Sequence, residues 1–316
     1  MFRQYYSSEA PNTLLGKPNV LSVVTYNHDC SPPAQPGTIP CGLSSLSSHL
    51  SEVIECDGEV VRGKTGNCLW SKTQDLICSA IWISPDDCIN ITDSAEKAYI
   101  ALMSHLIEAG YPNPIRLWNF IPDINLGEGD REAYKQFCTG RLKAFNRIGI
   151  LPDAFPAASA LGHHSRGAVI YALATPESGV HYENPKQRSA YHYPRQYGPS
   201  SPSFARATSV EIGREHWAFI SGTASILGHE TQSPGDIHQQ LEVTLSNIDH
   251  LAEHIHQDTR AFNGIRVYLR HEEDLEVSKK ALEQHFPNCE ITYTKADICR
   301  ANLLVEIEAA LALPTL

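Results

Sequence analysis

Residues 296–309 read ADICRANLLVEIEA, and the second half of that stretch decides how the chain is read. The alternation Val305-Glu306-Ile307-Glu308 predicts a strand with both carboxylates on one face. Leu303 and Leu304 place this strand on a core. Desolvation disfavours a charged carboxylate, so an acid at the end of a buried strand has a raised pKa and can donate a proton near neutral pH. The competing expectation puts Glu306 and Glu308 on the solvated face of an edge strand, where charged residues usually lie.

Working outward, strands are predicted over 76–84, 114–124 and 167–175, and helices over 94–110, capped by Asp93, and 131–149, capped by Asp130. The same order returns in the second half, with strands over 207–212 and 217–227, a helix over 234–257, a strand over 264–270, a helix over 272–285 and a strand over 289–294. Ile115-Arg116-Leu117-Trp118 precedes Ile265-Arg266-Val267-Tyr268 by 150 positions, at the same place in each half. An internal duplication of an α+β unit follows, each unit a mixed sheet with helices on one face. The divisions expected are an N-terminal extension over 1–50, a first unit over 51–175, a substrate-binding loop over 176–204 and a second unit over 205–316. Within 1–50 only 19–26 reads as a strand, and 51–64 reads as a hairpin turning at Asp57-Gly58.

Composition narrows the function. The 316 residues carry a net charge of −11 and no basic run, which argues against nucleic acid. Nine cysteines at irregular spacing, with no CxxC, read as reduced thiols in a cytoplasmic enzyme rather than as a disulfide framework or zinc site. No apolar run of membrane-spanning length and no signal-like N-terminal segment is expected.

Several motifs invite chemistry. Gly58 to Thr65 matches the phosphate-loop pattern but lacks the helix that should follow it, and is read as a decoy. His250 and His254, with His256 nearby, have no HExxH and no third ligand, and His163-His164 is no better placed. The loop over 176–204 holds five prolines, four tyrosines and two arginines, which favours an ordered functional loop. Tyr191, Tyr193, Arg195 and Tyr197 alternate there, with Arg206 beyond, and form the best anion-binding candidate. Gly222 and Thr223 lie in a small-residue run where a ligand could approach the backbone, or a β-bulge could form.

RLWNFIPDIN from Arg116, GEGDREAYKQFCTGR from Gly127, PAASALG from Pro156, NPKQRSAYHYPRQYGPSSPSFARAT from Asn184, ISGTASILGHET from Ile220, VYLRH from Val267 and ADICRANLLVEIEA together resemble the chorismatase family. The resemblance implies two tandem RidA/YjgF-like units, an enzyme that releases pyruvate from chorismate, and no metal or organic cofactor. It implies a catalytic acid at Glu306 and product-steering positions at Cys299 and Ala224, with the two substrate carboxylates held from among Tyr191, Tyr193, Arg195, Tyr197, Arg206 and Arg270. A cysteine at 299 resembles members that form 3-hydroxybenzoate, alone or with 4-hydroxybenzoate. An alanine at 224 leaves open the hydrolytic course to a dihydroxycyclohexadienoate. RidA-type proteins carry a carboxylate-binding arginine in the region that here reads ITYTK, so imine deamination is not expected, and a non-catalytic ligand-binding protein is the competing class. A monomer and a trimer-like assembly both stay open.

Overall fold

Residues 1–255 and 262–313 are described by a computed structural model. The duplication is visible in the sheets. In the first unit the strands lie in the order Ala157–His163, Asn113–Pro122, Ala168–Thr175, Ile77–Ile83, Cys68–Lys72, Val61–Thr65. In the second the order is Glu290–Lys295, Phe262–Leu269, Val305–Leu313, Glu215–Ala224, Ala207–Ile212, Val180–Tyr182. The first two strands of each series are parallel and the rest antiparallel. Helices Ile91–Glu108 and Ala133–Ile148 cover one face of the first sheet, and Ile237–His254 and Leu275–His285 one face of the second. The three parts of the chain also interlock. Asp297–Ile298 pairs onto the edge of the first sheet, and Ser44–Ser45 onto the edge of the second.

The first 56 residues hold more order than their sequence suggests. Phe2–Ser7, Ser51–Cys56, Val20–Thr25 and Thr38–Pro40 make a third sheet in that order. Only its last pair is parallel. This repeats the order and polarity of Glu215–Ala224, Val305–Leu313, Phe262–Leu269 and Glu290–Lys295, with the five-residue helix Pro11–Leu15 where each full unit has an 18-residue one. The expected hairpin at Asp57-Gly58 is therefore wrong. Ser51–Cys56 stays in the small sheet, Val61–Thr65 pairs with Cys68–Lys72, and the chain crosses between sheets at Gly58, whose φ is +97°. The glycine and lysine of the supposed phosphate loop lie in that second hairpin, where Gly63 makes room for the Trp70 ring.

Neither expected helix cap in the first unit is observed. Asn90, not Asp93, caps Ile91–Glu108 by accepting from the Asp93 amide. Asp130 lies in a 3-10 turn, and Ala133–Ile148 begins after Glu132, ending as expected at the left-handed Gly149. Residues 256 and 257, including His256, lie outside the described residues. No described helix is long and apolar enough to cross a membrane.

All three sheets turn their uncovered faces to one shared core, which contains Tyr26 and Ile54, Trp118 and Tyr171, Trp217 and Tyr268. Alternation along Val305–Leu313 sends Val305, Ile307, Ala309 and Leu311 to the helices, and turns Glu306 and Glu308 the other way. Neither carboxylate is solvated; each residue is only 4% exposed. Arg116 and Arg266, the pair 150 positions apart, both reach Glu308 at the centre. The Arg116 Nη2–Glu308 Oε2 distance is 2.6 Å and the Arg266 Nε–Glu308 Oε1 distance 3.4 Å, and Arg266 also pairs with Glu52 of the small sheet.

Removing one member of a buried ion cluster leaves its partners uncompensated. Arg266→Met is expected to cost about 3–5 kcal/mol in urea unfolding, and adding Glu52→Gln should recover part of it. A loss well under about 1 kcal/mol would place the cluster among surface-like pairs.

Candidate active site

A cavity of 520 Å³ opens between the units. One wall is the entry to helix Ala133–Ile148, with Glu132, Tyr134 and Lys135. The loop expected over 176–204 supplies Tyr193, Gln196, Tyr197 and Pro202, and Glu306 stands at the base. The turn at 299–302 follows Ile298, which is pinned to the first sheet opposite Leu161, so its position is set by both units.

Glu306 is placed by what surrounds it. It pairs in register with Tyr268 on one side and Ala224 on the other. Its carboxyl lies directly over Gly222, where a Cβ would come within 1.9 Å of Oε1. The strand Glu215–Ala224 bulges between Ile220 and Thr223, so Gly222 is both a bulge residue and the floor under the acid. The Gly222 amide donates to Ser159 Oγ at 2.9 Å, and that hydroxyl donates to Glu308 Oε2 at 2.6 Å. Arg116 Nη2 donates to the same serine at 2.7 Å, and Trp118 Nε1 to Glu308 Oε1 at 2.8 Å.

The two carboxyls thus have opposite fates. Burial alone would raise the pKa of Glu308, but Arg266 and Arg116, aided by Ser159 and Trp118, hold it below its ordinary value. Burial, then repulsion from the Glu308 anion, push Glu306 up to about 8 against the pull of Arg116 and Arg206. Neighbouring carboxyls with separated pKa values make one a standing anion and the other a proton donor near neutral pH. Burial and then the nearby Glu306 push the Cys299 thiol up to about 12, so it is a neutral S–H and not a thiolate. Cys299 packs against the apolar cluster of Ala224, Ile226, Ile298 and Leu303.

Of the residues expected at the site, Glu306, Cys299, Ala224, Gly222, Tyr193, Tyr197 and Arg206 line this cavity. Arg206 Nη2 donates to the Tyr193 hydroxyl at 2.8 Å, and its Nε has no partner among the described residues. Four expected residues do not line it. Tyr191 packs edge-on against Phe155, 5.8 Å between centroids, in the core of the first unit. Arg195 is an exposed partner of Asp130, at 2.8 and 2.6 Å. Two 3-10 turns, Ala190–His192 and Arg195–Tyr197, break the alternation that had grouped these residues. Thr223 turns its hydroxyl back to the Ser221 carbonyl at 2.9 Å. Arg270 binds Asp297, the Leu303 carbonyl at 2.8 Å and the Arg300 carbonyl at 3.0 Å, so it folds the turn instead of lining the cavity.

Arg300 is the residue the sequence reading passed over. Its guanidinium lies 4.0 Å from the Tyr197 ring centroid and 5.3 Å from that of Tyr193. Nη1 donates to the His229 carbonyl at 2.9 Å, while Nη2 is buried without a partner among the described residues. It lines the cavity directly after Cys299, inside the stretch that decided the reading. The site therefore offers two arginines with unused donors, a neutral acid and a dry apolar wall. Among the described residues there is no cluster suited to a metal ion.

The chain is similar to known proteins over nearly all its length. Residues 52–174 match the family described as chorismatase FkbO/Hyg5-like, N-terminal. A 3-hydroxybenzoate synthase of Streptomyces hygroscopicus is 36% identical over 314 residues, covering 92% of this chain and 91% of that protein. A chorismatase of Streptomyces rapamycinicus is 32% identical over 280 residues, covering 83% of this chain and 82% of that protein. A crystal structure of a chorismatase at 1.08 Å resolution superposes with a TM-score of 0.88 at 29% identity, over 98% of each chain.

The close approach at Gly222 has a measurable consequence. Gly222→Ala is expected to destabilise the protein by about 1–3 kcal/mol through overpacking. Most of that cost should vanish in a Glu306→Ala background, because the clashing carboxyl is gone; equal costs in both backgrounds, by chemical denaturation, would contradict the contact.

Proposed function

The chain belongs to the chorismatase family, and from that premise we propose that it converts chorismate into 3-hydroxybenzoate and pyruvate, with Glu306 as the acid. The observation that carries this reading is the state of Glu306. Breaking the enol ether begins with a proton on the terminal methylene carbon of the enolpyruvyl group. Carbon is a weak base, so the donor must be a neutral, well-placed carboxylic acid. A carboxyl with a pKa of about 8, facing the cavity at its base, meets that need.

The chemistry then runs without any added group. Glu306 gives its proton to the methylene carbon, which becomes the methyl of pyruvate. The hydroxyl oxygen next to the ether on the ring displaces the side chain at the ring carbon, the carbon–oxygen bond breaks, and pyruvate leaves. The proton lost by that hydroxyl returns to Glu306. The epoxide so formed opens at the carbon that first carried the hydroxyl, and loss of the proton from the adjoining oxygen-bearing ring carbon, with protonation of that oxygen, aromatises the ring. Arg206 and Arg300 supply cations for a doubly anionic guest, Tyr193 and Tyr197 hold those arginines in place, and the neutral Cys299 with Ala224 and Ile226 keeps water from the activated ether.

Purified protein mixed with chorismate should release pyruvate, and chromatography should show 3-hydroxybenzoate; the same trace reads any 4-hydroxybenzoate or dihydrodiol. Glu306→Gln should lower pyruvate release by about 10³-fold or more while leaving the fold intact. Since the donor works only when protonated, kcat should be full below pH 8 and fall as pH rises through about 8. A rate that rises across that range would remove Glu306 from the role of acid. Cys299→Ser places a hydroxyl that can hold water beside the ether, and should move product from 3-hydroxybenzoate towards the dihydrodiol. An unchanged ratio would separate Cys299 from product choice.

A further inference from the structure

We propose, resting on the chorismate reading above, that Arg270 is a positioning residue for product choice. From outside the cavity it holds the turn that carries Cys299 and Arg300, and thereby keeps water from the activated ether.

Arg270 follows the strand Phe262–Leu269, and its amide donates to the Leu304 carbonyl at 3.0 Å, just before the strand that carries Glu306. Its side chain uses every nitrogen on the turn and on the anchors of the turn. Nε donates to the Leu303 carbonyl at 2.8 Å. Nη2 faces the Ile298 carbonyl at 3.1 Å, the Arg300 carbonyl at 3.0 Å and Asn125 Oδ1 at 3.2 Å. Nη1 pairs with Asp297. Asn125 comes from the first unit, lines the main cavity, and itself donates to the Ile298 carbonyl at 3.1 Å. Gln240 serves the far end of the turn, donating to the Asn302 carbonyl at 2.9 Å and accepting from the Leu304 amide at 2.8 Å. The charge of Arg270 is matched by Asp297 and its side chain does not line the main cavity, so this cation acts on the turn and not on the guest.

Ile298 and Leu303, whose carbonyls are held in this way, also belong to the apolar wall with Cys299, Ala224 and Ile226. Both are fully buried. A buried carbonyl without a donor is costly, and a water molecule is its ready substitute. One guanidinium therefore keeps dry the backbone behind the wall that faces the ether. It also fixes the backbone of Arg300, whose own guanidinium lies over the Tyr197 ring. The other side of Arg270 borders a second cavity, of 220 Å³, whose lining includes the exposed His28, His164 and Lys295. That cavity reaches solvent, so loss of the side chain opens a path by which water, or a small cation, can reach the turn.

The test compares wild type, Arg270→Ala and Arg270→Lys in pyruvate release and in chromatography of the products. Arg270→Ala should lower kcat/KM about 10²-fold, as misplacement of site groups does, and dihydrodiol should replace a large part of the 3-hydroxybenzoate. Arg270→Lys should shift the products less, since an ammonium keeps the charge without the planar fork. Guanidinium chloride, kept far below unfolding concentrations, should return the Ala variant towards 3-hydroxybenzoate, and sodium chloride at equal ionic strength should not. A 3-hydroxybenzoate share that stays at the wild-type value in the Ala variant, whatever its melting temperature, overturns the proposal. So does a lost share that neither guanidinium nor lysine restores in any part, which marks damage to the fold and not the absence of these donors. Should the Ala variant not fold, the Lys variant decides, and a wild-type share in it overturns the proposal. Wild-type protein that releases no pyruvate overturns the chorismate reading itself, and pyruvate without 3-hydroxybenzoate leaves Arg270 no dry course to protect and overturns its role too. Wild-type formation of 3-hydroxybenzoate with an indifferent Arg270 overturns the role of Arg270 alone.

Discussion

The Glu308 carboxylate, held between Arg116 and Arg266, is the interaction on which the rest depends. Each arginine comes from the equivalent strand of a different unit, and the acid from the last strand of the second. Such a cluster is expensive to bury and is offset only by dense hydrogen bonding, which Ser159, Trp118 and Glu52 supply. It therefore specifies how the units meet. It also leaves a fixed negative charge two residues along the strand from Glu306, on the same face. The anion that closes the interface is thus one of the causes that keep its neighbour protonated.

The repeat explains why the inward acid at the cavity occurs in one unit and not in both. In the second unit Glu306 stands opposite Tyr268, and Glu308 opposite Arg266. At the matching register of the first unit Tyr171 stands opposite Trp118, and Leu173 opposite Arg116. Tyr171 stacks on Trp118 at 4.6 Å and fills the shared core, so the first unit keeps the scaffold and lacks the acid. In the small sheet Glu52 is opposite Val24 and is engaged by Arg266. The second unit has turned one of its two inward acids to a cavity, while the other closes the core with Arg116 and Arg266.

Much of this was legible before any coordinates. The period-two pattern around Glu306 and the repeat of Ile-Arg at 115 and 265 are local signals that survive folding, because both sit on regular strands. What escaped was non-local. The partners of Arg195 and Arg270 are Asp130 and Asp297, and no spacing rule reveals that those two cations are already occupied. Arg300 was passed over because it follows Cys299 in a turn, where no periodicity marks the direction of a side chain. The small sheet was missed for a related reason. Phe2, Gln4 and Tyr6 do alternate inwards, but the strand is short, polar in part and paired to a segment 50 residues away.

The charges around the cavity have a further logic once a dianion is placed there. A chain with a net charge of −11 gives such a guest no long-range attraction, so capture falls to the local guanidinium groups. Those same cations act against the acid, since Arg116 and Arg206 pull the pKa of Glu306 down. More positive charge in the empty site would bind the guest better and leave the donor ionised. A bound carboxylate removes this conflict, because it cancels the cation that it pairs with and adds a negative charge beside Glu306. On this reading the acid is best protonated when the substrate is present, and the guest's own charges help to keep the proton it is about to receive.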